Sequence, residues 1–63
     1  MDIKKLLPPK DAAERVGLKP RTLEHWRWRG KGPDFIRIGG RIMYDPEALQ
    51  RWLDANTVRP SAA

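Results

Sequence analysis

The sequence contains no cysteine and only one histidine, His25. Disulfides and thiolate metal sites are therefore excluded, and a lone imidazole cannot build a metal centre. Long apolar runs are missing too. No window approaches the roughly 18 consecutive apolar residues of a membrane span, and Met1 to Pro9 lacks the apolar core of a signal peptide despite Lys4 and Lys5. A soluble, cytoplasmic protein without membrane association is expected. Phosphate-cradling glycine motifs are absent, since "GKGP" and "GG" match neither nucleotide fingerprint. Acid-base or nucleophilic chemistry would have to draw on a few carboxylates at helix ends, Thr22 and Tyr44, and each of these has an adequate structural use. No enzyme, metal or cofactor is expected. A chain of 63 residues has room for one small domain, which buries only about 60% of the surface its unfolded form exposes. The expected division is a single domain over residues 1–57 and a disordered tail, "VRPSAA", over 58–63.

What the chain does have is positive charge in one place. Its formal net charge is +5. Lys19, Arg21, Arg27, Arg29, Lys31, Arg37 and Arg41 fall between residues 19 and 41, opposed there only by Glu24 and Asp34, so this segment carries the whole excess. Elsewhere basic and acidic residues balance. A concentrated positive segment points to a polyanionic partner, whereas a scattered excess would describe only a solvated surface.

Proline and glycine punctuate the chain. Pro9 suits the first turn of a helix, where its missing N–H is not needed, and Asp11 lies near the positive end of "PKDAAERVG". Ala13 and Val16 share a face, and Gly17 supplies a stop. Pro20 opens a second helix after a turn of about three residues, and two short helices across so tight a turn read as a helix-turn-helix. This second helix is expected to run to about Arg29 and end at Gly30, followed by a loop of Lys31, Gly32 and Pro33. Advancing about 100° per residue from Arg21 puts Leu23 and Trp26 together on an inner face. His25 and Trp28 fall within roughly 40° of Arg21 on the opposite side, with Arg29 and Thr22 flanking. The two tryptophans of "EHWRWRGKGP" therefore face different ways.

"FIRIGGRIMY" is two strand-forming runs around Gly39 and Gly40, both able to take positive φ in a two-residue hairpin turn. In that register Ile36, Ile38, Arg41 and Met43 share one face, and Phe35, Arg37, Ile42 and Tyr44 the other. Both faces are mainly apolar, so alternation leaves open which is buried. Turn chemistry explains the glycines, but not an arginine on each shoulder of the turn. Next, Asp45 is placed as an N-cap, Pro46 as the first helical residue, and Tyr44 with Leu49 as a hydrophobic staple. A third helix to about Ala55 carries Leu49, Trp52 and Leu53 as its inner stripe. The fold class is thus α+β, in the order helix-helix-strand-strand-helix, with Leu23, Trp26, Leu49, Trp52 and Leu53 as the structural core.

The features that folding leaves unexplained suit double-stranded DNA. A helix of about ten residues fits the major groove, where Arg21 can pair with guanine and Thr22 and His25 can meet base edges or phosphates. Arg27, Arg29 and Lys31 would add charge toward the backbone. Gly39 and Gly40 permit close approach at the hairpin tip, with Arg37 and Arg41 beside them for a minor-groove or phosphate contact. Trp28 would pack against sugar and phosphate at the groove edge, against the hairpin or against a neighbouring copy, or it would fold over the loop at Pro33 or Phe35.

In order and spacing, "AAERVGLKPRTLEHW", then G-x-GP-x-FI, "GGRIMY" and "LQRWL" resemble the small excisionase-like DNA-binding proteins of the MerR-like winged-helix superfamily. The resemblance covers residues 8–53. It implies a second helix in the major groove and a hairpin wing on the flanking minor groove or backbone. By position it makes Arg21, Thr22 and His25 base readers and Arg29, Arg37 and Arg41 backbone or wing contacts. It also implies one of two roles: a recombination directionality factor that shapes attachment-site DNA and recruits a site-specific integrase, or a small transcriptional regulator. Excision is the expected role, because the sequence shows no dimerisation helix or effector domain beside the DNA-binding unit. Other copies of the chain along the DNA are a further expected partner. A protein-interaction module with Trp28 in its docking patch is the rival from another class. Two positions depart from the family. Lys19 and Pro8 stand where Ser or Thr usually caps a helix, at a cost of around 1 kcal/mol each, which Lys19 would recover in part through a phosphate contact.

Overall fold

The computed structural model describes residues 3–60. A short 3-10 turn, Ile3–Lys5, precedes α1 (Pro9–Val16), α2 (Pro20–Trp28), β1 (Ile36–Ile38), β2 (Arg41–Met43) and α3 (Pro46–Ala55). Residues 1–2 and 61–63 of the expected domain and tail lie outside the described residues; Thr57 to Pro60 form neither helix nor strand.

All three α-helices begin at a proline, as the missing N–H dictates. Their stops follow the backbone too. Gly17 takes the left-handed conformation (φ 73°), its N–H donates to Glu14 O and that of Leu18 to Ala13 O. At the end of α2 the same pattern recurs, Gly30 N–H donating to Arg27 O and Lys31 N–H to Trp26 O. Each is a 5→2 and 6→1 pair that satisfies the last carbonyls and turns the chain away. Neither Pro8 nor Lys19 makes a side-chain cap. Asp45 holds the N-cap position of α3 but likewise makes no cap hydrogen bond through its carboxylate.

The core is small. Ala12 and Ala13 are fully buried, and their short side chains let α2 lie close on α1. Leu23, Tyr44 and Leu49 complete the buried cluster, and Leu7, Val16, Leu18, Trp26, Phe35 and Ile42 pack around it. Burying a leucine of this kind contributes about 1.5–3 kcal/mol. Trp26 and Trp52 meet at 5.6 Å between ring centroids, joining α2 to α3. Trp52 and Leu53 are only half-buried and stand outside the buried cluster, so the inner stripe expected of α3 reaches the centre through Leu49 alone.

The hairpin has the expected register, with Ile36 opposite Met43, Arg37 opposite Ile42 and Ile38 opposite Arg41. Only Gly39 of the two turn glycines takes positive φ (58°), as in turns with glycine at the first central position. Burial chooses the face left open by the alternation: Phe35, Ile42 and Tyr44 turn to the core, while Ile38 on the other face is 47% exposed. The N-terminal segment adds an unanticipated piece. Leu7 bridges antiparallel to Tyr44 through two backbone hydrogen bonds of 2.7 Å, extending the sheet beyond β2 by one residue pair.

Candidate nucleic-acid interface

The outer face of α2 gathers the residues placed there by the helical period. Arg21, Glu24, His25 and Trp28 enclose a shallow cleft of about 250 Å³. Trp28 is 84% exposed, opposite the half-buried Trp26 two positions earlier. The side chains of Arg21, His25 and Arg29 are exposed and make no hydrogen bond or ion pair among the described residues. Their N–H groups are available to phosphate oxygens or base-edge acceptors. Lys19 is exposed at the start of the helix, and Thr22 is half-buried, outside the cleft. Glu24 had no role in the sequence reading, yet it contributes an acceptor to this cleft. Its position on the helical wheel, about 60° from Arg21, was the available signal.

The hairpin presents the second cationic element. Arg37 and Arg41 are both exposed and lie on opposite faces, Arg37 on β1 two positions before Gly39 and Arg41 on β2 directly after Gly40. No atom stands within 4 Å of a Cβ built on Gly39 or Gly40, so the tip is open to close approach. Lys31 is exposed as expected but belongs elsewhere: it borders an open groove of about 520 Å³ with Asp34, Asp45 and Arg51. Two acidic and two basic side chains balance in that groove, whereas the exposed Lys19, Arg21 and Arg29 outnumber Glu24 along α2, which makes the helix the better polyanion surface.

Arg27 corrects the sequence reading. Expected to supply charge to the DNA backbone, it is instead half-buried and turned inward. Its Nη1 donates to the Tyr44 hydroxyl at 2.9 Å, and its guanidinium carbon stands 5.9 Å from the centroid of the Phe35 ring. On the wheel Arg27 lies about 120° from Arg21 but only about 40° from Leu23, so the period itself turns it toward the inner face, a signal masked by the charge of the segment.

Among the described residues no three His, Asp or Glu side chains gather into a metal-holding group, and no helix is long and apolar enough to cross a membrane. The fold is that of a small winged helix-turn-helix: two helices across a three-residue turn, a two-stranded antiparallel wing and a closing helix. No curated protein matches the chain in sequence. The model of a family described as a helix-turn-helix domain matches residues 6–57, most of the chain, and with it this protein belongs to the helix-turn-helix domain family as a small DNA-binding protein.

Proposed function

We propose that this protein binds duplex DNA sequence-specifically, with α2 in the major groove and the hairpin on the flanking minor groove or backbone. In this reading it serves as an excisionase-type recombination directionality factor that shapes attachment-site DNA for a site-specific integrase. It acts by binding, without catalysis, on DNA in the cytoplasm. The observation that carries the reading is the unpartnered donor face of α2, where Arg21 and His25 flank Trp28 and Arg29 follows. Arg21 suits guanine, since a guanidinium matches its O6 and N7 acceptors. Thr22 and His25 suit neighbouring base edges or phosphates, and Lys19, Arg29, Arg37 and Arg41 suit phosphates. The excision role rests on the resemblance to excisionase-like proteins.

Electrostatics sets what one copy can do. About five phosphate contacts give a slope of log affinity against log salt near −4.5, so one copy binds weakly at physiological ionic strength. A second copy or the integrase on the same DNA would supply the missing affinity.

A mobility-shift titration with random duplex DNA at two salt concentrations tests the binding. Selection from a randomised duplex pool then defines the site, circular permutation of that site measures bending, and an excision assay with the integrase of the same element tests the role. Binding, bending and stimulated excision are the expected results. A selected site in a promoter, with no effect on excision, would make the protein a transcriptional regulator. Failure to bind random DNA even at low salt would overturn the DNA reading in favour of a protein-docking surface around Trp28.

A further inference from the structure

Little in the backbone packing fixes the hairpin relative to α2. That helix lies along α1, α1 also meets α3, and β1 and β2 lie against each other, but α2 and the hairpin share no comparable run of neighbours. Beyond the apolar packing of Phe35, Ile42 and Tyr44 in the core that also holds Leu23, the polar link between them is one side chain. Phe35 immediately precedes β1 and Tyr44 immediately follows β2, so the two residues form the foot of the hairpin, their rings 6.4 Å apart on its core-facing side. Arg27 of α2 reaches both: Nη1 donates to the Tyr44 hydroxyl at 2.9 Å, and the guanidinium lies over the Phe35 ring at 5.9 Å.

Drawing a guanidinium partly out of water costs hydration, which a hydrogen bond and an aromatic face offset. Arginine can do both at once, because its planar fork donates in its plane and stacks through its face, whereas a lysine ammonium is a single point charge. Tyr44 is completely buried, so its hydroxyl is held in place by the core and makes a stationary anchor.

We infer that Arg27 is a positioning residue that clasps the foot of the hairpin to α2 and sets the angle between them. The inference rests on the proposed two-element grip. Arg21 on the helix and Arg37 and Arg41 on the hairpin then reach DNA as one preorganised unit, and the cost of ordering the hairpin is not deducted from binding. The charge of Arg27 thus serves the spacing between the two DNA contacts.

Three variants of the full chain test this. Arg27→Met removes both halves of the clasp. Tyr44→Phe keeps the ring and removes only the acceptor, and it carries the test if the first variant does not fold. Arg27→Lys is the conservative rescue. Residual dipolar couplings of the amides of residues 36–43 and of α2, measured without DNA, read the angle directly. The hairpin couplings are expected to shrink in Arg27→Met, and less so in Tyr44→Phe, while those of the three helices stay as in the wild type; Arg27→Lys falls between. On DNA, Arg41→Ala is expected to cost about threefold less in the Arg27→Met background than in the wild type, as coupled sites behave, while the loss from Arg21→Ala is the same in both. Unchanged hairpin couplings in every variant that folds would overturn the inference. So would an Arg41→Ala loss of equal size in all backgrounds. If Arg41→Ala costs nothing in the wild type, the wing contact itself fails, and the couplings alone then decide the role of Arg27.

Discussion

Gly32 lies directly against the indole of Trp26. A Cβ placed on Gly32 would stand 2.9 Å from Cε3 and 3.1 Å from Cβ of Trp26, and the glycine backbone is at φ 91°. Trp26 is in turn braced by Trp52, so it has little freedom to withdraw. Gly32→Ala is expected to lower stability by about 1–3 kcal/mol, combining backbone strain with displacement of the ring. Gly30 has positive φ but open space around it, so Gly30→Ala should cost less. Urea unfolding of both variants checks the ordering, and equal losses would assign the whole effect to φ.

Trp28 has no packing role to lose. With 84% of its surface exposed, Trp28→Ala should change stability by no more than about 0.5 kcal/mol. The exposed indole should dominate quenching of the protein's fluorescence by acrylamide, and Trp28→Phe should remove that component. Saturating DNA should shield it. Quenching that is identical with and without DNA would put Trp28 outside the interface.

Arg21 differs from the other exposed arginines by its place in the cleft beside His25 and Trp28. Arg21→Ala is expected to weaken binding to the selected site by about 1–3 kcal/mol, and binding to random DNA much less. Titrations against both duplexes provide the comparison. Equal losses would reassign Arg21 to a phosphate.

Lys19 stands at an N-cap without a capping side chain. Lys19→Ser supplies the missing oxygen acceptor and should raise stability by about 1 kcal/mol. The same change should weaken DNA binding and flatten the salt dependence by about one unit of slope if Lys19 meets a phosphate. A thermal melt and a salt titration of the one variant read the two opposed effects. A stabilised protein with undiminished DNA affinity would mean that the lysine touches no phosphate.

The local grammar of this chain was legible in its residues because each signal depends on near neighbours. Pro9, Pro20 and Pro46 open helices through a missing N–H, and Gly17 and Gly30 close them through positive φ. Gly39 turns the hairpin in the expected register. The helical period alone separated Trp26 from Trp28. The α2 face was legible for the same reason, since residues three and four apart on one helix are neighbours whatever surrounds it.

Tertiary structure decided what depends on partners distant in sequence. Both faces of the hairpin are apolar enough to be buried, and the cluster of Ala12, Ala13, Leu23 and Leu49 selected the one bearing Phe35, Ile42 and Tyr44. Leu7 found Tyr44 across the chain, and Gly32 met Trp26 only because a loop folds back over the helix. Arg27 reads as one more cation in a basic run, and the period turns it inward, but its partner is a hydroxyl 17 residues away. Composition and period determine which groups are present and on which side of an element. Only packing brings a donor to its acceptor, and that converted one expected phosphate contact into the joint between helix and wing.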